Sequence, residues 1–400
     1  MTRGLPEDPF IRQLVRQALG AQLNRRRMLQ ASAAGAGALT LAACAPAGGG
    51  SSSDTSVVWG NWDGYIDEDD DGNHPTLDAF TAATGISVNY RVEIDDNNTF
   101  YATIRDQLQL NADTGFDTFC LTDWMAGRLI RQGFVAEFDY ANIPNFANLD
   151  PSLVDVPFDP GRKFSLPWQG GYAGLVYNKD VIPEGIQSVS DLWKPEFKGK
   201  VVLLSEMRDT IGVIMMSQGI DISSSSWGDA EFEAAIDVVA ENLASGQIGS
   251  IKGNAYTDDL VTGDAVVGIV WSGDVEGILN ADLIAAGQDP KFEFVIPDSG
   301  GTLWTDNFLI PNGAQHKANA EKLIDWYYDP EVAAEVAAWV NYVTPVVGAR
   351  EAMAAVDPEM AENWMIFPTE EVLNTVQVFR TLEAEEEAKY QELFATLALG

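Results

Sequence analysis

The residues best equipped for chemistry in this chain are rings and carboxylates that recur together. Trp59-Gly60-Asn61-Trp62-Asp63-Gly64-Tyr65, Thr122-Asp123-Trp124, Glu206-Met207-Arg208-Asp209, Trp271-Ser272-Gly273-Asp274 and Trp304-Thr305-Asp306 each offer a large aromatic, a carboxylate, or both. That pairing suits an organic cation. An ammonium is drawn to a Trp or Tyr face by about 0.5–2 kcal/mol. A carboxylate at about 4 Å adds on the order of 4 kcal/mol at an effective dielectric of ~20, before desolvation. Methylenes lying on the rings add about 0.8 kcal/mol each. A four-carbon diamine would gross more than ~10 kcal/mol, and association and desolvation remove much of it. The remainder fits micromolar or tighter affinity. A lone Trp is ordinarily core or rim, and a lone loop Asp is ordinarily solvated. The recurrence at five places carries the reading.

Other chemistries lack their residues. The chain has two His and two Cys, so a three-His zinc site is impossible. His74 and His316 are isolated, and neither sits in a nucleophile-base motif. No G-x-x-x-x-G-K-[ST] or strand-linked G-x-G-x-x-G occurs. No cofactor is expected, and any nucleotide chemistry belongs to another chain.

Strand and helix patterns alternate between these clusters. Residues 56–59, 86–92, 118–121, 173–177, 201–204 and 265–271 read as strands. Residues 76–84, 100–110, 124–132 and 231–243 read as helices, the first stopped by Gly85 and the third by Gly133. The pattern predicts an α/β architecture with largely parallel sheets. Most of the ring and acid clusters then follow strands, where α/β sheets bind their ligands.

Composition narrows the partner. The 400 residues carry 24 Lys+Arg against 60 Asp+Glu, a formal charge of −36. This excludes nucleic acid, which selects basic surfaces, and argues against an anionic membrane face. A cationic partner is the electrostatic complement, and solubility or salt adaptation is the plainer alternative. The 46% hydrophobic fraction and 11 Trp exclude a disordered chain.

The N-terminal segment reads as an address. Asn24-Arg25-Arg26-Arg27-Met28-Leu29-Gln30 resembles a twin-arginine export signal. The apolar run 28–43 is shorter than a membrane span of about 20 residues. It ends in Leu41-Ala42-Ala43-Cys44, which resembles a lipobox, so Cys44 is expected to become the lipidated N-terminus. Residues 1–44 are assigned to the signal and 45–53 to a flexible Gly/Ser tether. Losing six Arg and two acids with the signal takes the charge from −36 to −40. Cys120 then remains as the sole unmodified thiol, in a strand-like run that suggests a buried small hydrophobe.

From residue 57 to about 388 the chain resembles the substrate-binding proteins of polyamine (spermidine/putrescine) ABC transporters. The resemblance rests on Asn61-Trp62 with Tyr65, on Leu149-Asp150-Pro151 through Pro157-Phe158-Asp159-Pro160, and on Ser190-Asp191-Leu192-Trp193-Lys194-Pro195-Glu196-Phe197-Lys198-Gly199. It continues in Trp271-Ser272-Gly273, Trp304-Thr305-Asp306 and Thr344-Pro345. It implies a two-lobed periplasmic-binding-protein-like fold of type II with a ligand cleft between lobes joined by chain crossovers. The lobes would be 54–173 plus 304–352, and 174–303 plus 353–400. It further implies a monomer that binds a polyamine and docks on a permease whose ATPase drives import. Anchoring by lipid would place it on the outer face of the cytoplasmic membrane. No catalysis is implied.

By that resemblance Trp62, Tyr65, Thr122, Trp124, Glu206, Asp209, Trp271, Trp304, Asp306 and Tyr342 would line the ligand. Asp63 stands where a neutral residue is common, Asp123 is an additional acid, and both join the set. Phe379 falls where a Gln contact is expected. The same fold holding another organic amine or a quaternary ammonium remains open, as does a secreted hydrolase with paired carboxylates.

One acidic insertion has a separate reading. Asp67, Asp69, Asp71, Gly72 and Asp78 follow D-x-D-x-D-G-x5-D, an EF-hand-like calcium loop with Asp at its last position. Pro75 and the lack of an incoming helix favour a solvated acidic turn instead.

Overall fold

A computed structural model describes residues 55–69 and 71–398. The export signal, Cys44 and the tether lie outside the described residues. The chain opens with strand β1 (Ser56–Trp62), whose Val57 and Trp59 are buried. The strand runs three residues past Trp59, so Trp59 is core and Trp62 ends the strand. Helix α1 (Pro75–Thr84) starts on proline and stops at Gly85, whose φ of 72° is the left-handed C-cap that glycine adopts without strain. Then come β2 (Ser87–Ile94), α2 (Asn97–Gln109), β3 (Thr118–Thr122) and α3 (Asp123–Arg131).

The next strand of the main sheet, β4 (Ser165–Asn178), is 14 residues long and buried throughout. Sequence pattern marks only its second half, because Pro167, Gly170 and Gly171 interrupt the strand signal before it. β5 (Val201–Leu204) leads into α4 (Met207–Ser217), and α5 (Asp229–Ala244) into β6 (Ile248–Lys252). β7 (Val267–Trp271), β8 (Phe292–Val295) and β9 (Gly301–Leu309) follow. Helices α6 (Lys317–Tyr327), α7 (Pro330–Val340), α8 (Ala349–Val356) and α9 (Ala384–Ala398) complete the chain.

The strands form one curled sheet in the order β2-β1-β3-β9-β4-β7-β5-β6, with β8 also paired to β4. The outer trios are parallel, as β-α alternation requires. The central strands are not. β9 runs antiparallel to both β3 and β4, and β4 runs antiparallel to β7. The expectation of largely parallel sheets therefore holds only at the two flanks. β4 and β9 carry the chain between lobes in opposite directions, so they must pair antiparallel.

Two apolar cores flank this crossing. One gathers Trp59, Phe119, Leu166 and Phe308, and the other Leu175, Val202, Phe232 and Tyr390. Met353 and Ala361 pack with the first core, and Met365 is the next residue to join the second. Trp271 touches both cores. In α9, Tyr390 stacks on Phe232 of α5 with centroids 4.0 Å apart and an 11° interplanar angle.

This stack sets a stability prediction. Tyr390→Ala should destabilise the fold by about 3 kcal/mol, read from the urea midpoint, because it removes a fully buried ring. Amides of α9 should lose exchange protection first.

Candidate functional site

Between the lobes lies a cleft of about 560 Å³, part of it open to solvent. It is lined from strand ends: Trp62 closes β1, Thr122 closes β3, Glu206 follows β5, and Trp271 closes β7. Trp304 and Asp306 come instead from the middle of β9, where the lobes join. Asp63, Tyr65, Asp209 and Tyr342 complete the sequence-predicted residues that the cleft brings together.

The rings are held by hydrogen bonds at their polar ends. Trp62 Nε1 donates to the Cys120 carbonyl at 3.0 Å. Trp271 Nε1 donates to Asp209 Oδ2 at 2.8 Å, and Thr302 Oγ1 donates to Asp209 Oδ1 at 2.6 Å. Tyr342 and Tyr256 hydroxyls donate to the two oxygens of Asp274 at 2.6 and 2.7 Å. Tyr342 meets Tyr65 and Trp304 edge to face, with centroids 5.5 and 5.3 Å apart. Asp209 and Asp274 thus spend their oxygens on fixing rings.

Glycines give those rings room. A Cβ on Gly171 would lie 2.7 Å from atoms of both Trp304 and Tyr342, and one on Gly273 would lie 2.7 Å from Tyr342. The register of β9 against β4 slips between Thr305 and Asn307, so Asp306 sits at an irregularity. Such bulges re-aim a side chain.

Asp306 and Glu206 differ from the ring-holding acids. Asp306 Oδ1 and the Tyr65 hydroxyl are buried without a hydrogen-bond partner among the described residues. Burial pushes the Asp306 carboxyl up to about 7, against the pull of Thr122 and Tyr65. Burial likewise pushes Glu206 up to about 8, opposed by Arg208 and reinforced by Asp209 and Asp96. Asp274 is raised to about 6 by the same cause. Seven carboxylates line the cleft and no Lys, Arg or His does. A cation is the group that would relieve this arrangement.

Sequence reasoning omitted Asp95, Asp96, Asn97, Ser205 and Asn254, all of which line the cleft. Asp274 belongs to the Trp271-Ser272-Gly273-Asp274 cluster but was not counted among the ligand-lining residues, and it lines the cleft as well. Asn97 orients Thr122, donating from Nδ2 to its Oγ1 at 2.9 Å. Asp96 was concealed by its second task, the N-cap of α2.

Two of the expected residues lie outside this lining. Asp123 lies off the cleft, where its Oδ1 accepts from Asn307 Nδ2 at 2.7 Å and it faces Arg162. Trp124 also lies off the cleft, its ring covered by the Arg208 and Arg128 guanidinium groups at 4.0 and 4.8 Å. Phe379 is packed against Trp227 in the second core. The acidic turn does not gather its carboxylates: Asp67 is buried and bonds the Thr76 amide and hydroxyl, while Asp69 bonds the amides of Asp71 and Asn73. Among the described residues no group of three His, Cys, Asp or Glu is placed to hold a metal ion. No helix of the described residues is long and apolar enough to cross a membrane.

Residues 76–368 match the family described as bacterial extracellular solute-binding protein. The chain belongs to that family. This solute-binding protein is 28% identical over 351 residues to the spermidine/putrescine-binding periplasmic protein of Salmonella typhimurium, covering 88% of this chain and 93% of the relative. It is 27% identical over 325 residues to the putrescine-binding periplasmic protein PotF of Escherichia coli, covering 78% and 83%. Its structure superposes on the spermidine/putrescine ABC transporter substrate-binding protein PotD of Streptococcus pneumoniae with a TM-score of 0.67, at 25% identity, over 86% of this chain and 99% of the other. The Treponema pallidum lipoprotein TpPotD shares the fold at a TM-score of 0.71 and 18% identity.

The raised carboxyls predict an inverted pH response. Glu206 keeps its proton in the fold up to about 8 but loses it near 4.5 when unfolded, so its stabilisation is present below 4.5 and lost as pH rises through 8. Asp306 behaves alike, with its loss near 7. Thermal melts of the ligand-free solute-binding protein should therefore fall between pH 5 and 8, and Glu206→Gln should flatten that slope. Gly171→Ala should disturb Trp304 and Tyr342, read as altered Trp fluorescence.

Proposed function

We propose that this protein captures a polyamine of the putrescine or spermidine class in the cleft and delivers it to an ABC importer. The observation that carries the reading is a cleft lined by seven carboxylates and four Trp or Tyr rings beside Tyr342, with no basic side chain among its lining residues. Asp306 and Glu206 are the amine-pairing acids, since each keeps oxygen that no ring occupies. Asp209 and Asp274 hold Trp271, Tyr342 and Tyr256 so that their faces are set before a ligand arrives. Trp62 and Trp304 then cover the methylenes. The similar relatives named for spermidine and putrescine support the same ligand class.

The mature chain would act outside the cytoplasmic membrane, tethered by lipid on Cys44, and as a monomer. Binding would draw the lobes together around the β4–β9 crossing. Closed lobes are the form a permease would select.

Isothermal titration tests the ligand. Putrescine or spermidine should bind with micromolar or tighter affinity, and a neutral sugar should give no heat. Asp306→Asn and Glu206→Gln should each cost about 2 kcal/mol, or roughly thirtyfold. Affinity should weaken as pH falls through about 8 and 7, where Glu206 and Asp306 take up protons that the cation must displace. Parental affinity in both variants would overturn the site. For the anchor, Cys44→Ser should release the protein from the membrane fraction.

A further inference from the structure

Behind the cleft, a buried ion cluster crosses from one lobe to the other. Glu387 on α9 belongs to the second lobe, and its side chain is 6% exposed. Its Oε1 accepts from Arg208 Nη2 at 2.9 Å within that lobe. From α3 of the first lobe, Arg128 Nη2 lies 3.2 Å from Oε1 and Arg131 Nη2 lies 3.0 Å from Oε2. Trp124, also from α3, lies under guanidinium groups from both lobes, Arg208 at 4.0 Å and Arg128 at 4.8 Å. The lips of the cleft meet as well: a Cβ on Gly253, after β6, would lie 2.9 Å from the Asp95 carbonyl, after β2.

The cluster touches the cleft through one residue. Arg208 gives Nη2 to Glu387, and its Nη1 lies 3.7 Å from Glu206 Oε1, beyond hydrogen-bond length. That Nη1 is buried without a hydrogen-bond partner among the described residues. Arg208 is therefore shared between a carboxylate that lines the cleft and one that clasps the opposite lobe.

We propose that Glu387 is the latch that holds the two lobes closed, and that Arg208 links the latch to the cleft carboxylate Glu206. The inference rests on the cleft being the ligand site. A ligand cation arriving at Glu206 takes over that carboxylate and leaves Arg208 to Glu387 and Trp124. One carboxylate among three guanidinium groups is a marginal joint by itself, because desolvation offsets much of its attraction. That balance suits a clasp that opens and closes better than a permanent weld. Ligand and latch then favour the same closed arrangement, and each strengthens the other.

The test compares the parent with Glu387→Gln, using putrescine as the probe. The variant should show a larger radius of gyration by small-angle scattering without ligand. Its putrescine off-rate should rise about tenfold, with the on-rate changed by less than about threefold. Superimposable scattering with an off-rate within about twofold of the parent overturns the latch, even if the melting temperature falls, since that pattern marks a merely structural role. If the parent does not bind putrescine, the ligand reading fails, and the scattering comparison still decides the latch. If Glu387→Gln does not fold, Arg131→Gln takes its place. Arg131 is 42% exposed and makes the same cross-lobe pair, so it should show the same two changes.

Discussion

Everything at the centre of this molecule follows from burying carboxylates without a protein cation in the cleft beside them. Desolvation of an ionised carboxyl is costly, so these groups either find donors or keep their protons. The cleft uses both solutions. Asp209 and Asp274 find donors in the Trp271 indole, the Thr302 hydroxyl and two Tyr hydroxyls. Glu206 has only the Arg208 amide at 3.3 Å and Asp306 Oδ1 has no hydrogen-bond partner among the described residues, and their raised affinities for protons record the deficit. The same negative potential that repels an anion thereby selects the charge of the occupant.

The fold makes this arrangement possible by splitting the cost between two cores. Each lobe has its own apolar cluster, and the first cluster includes the cleft rings Trp62, Tyr65 and Tyr342. The polar groups collect where the cores part. Trp271 is the exception, since it packs on both clusters while its indole reaches Asp209. A ring anchored in this way reports the relation of the two lobes to the floor between them.

What could be read beforehand divides along physical lines. Rings and acids near strand ends were legible because they lie at or just beyond strand signals: Trp271 closes the run 265–271, and Trp62, Thr122 and Glu206 fall within three residues of the signals ending at 59, 121 and 204. Trp304 and Asp306 were legible by composition, although their strand extends on both sides of them. Asp123 and Trp124 are the first two residues of α3, where helical rotation carries them off the cleft and toward Arg128, Arg208 and Asn307. Asp96 was hidden because a helix N-cap explains an Asp without reference to a ligand. The acidic pattern at Asp67 and Asp69 coincides with local turn bonding from Thr76 and Asn73. Antiparallel pairing at the sheet centre was not legible, because it arises from which strands the chain uses to cross.

The crossing ribbon itself has a mechanical consequence. Gly170 and Gly171 lie in β4 where its pairing with β9 loses register, and both strands run on into each lobe. If the lobes close as proposed, a strap with two glycines at its waist would bend like a leaf spring, while its rungs resist sliding and stretch. Trp304 and Asp306 ride on that strap and would then move less than the groups at the strand ends. A guest would settle first against that quieter part of the vessel, and the walls would come to it.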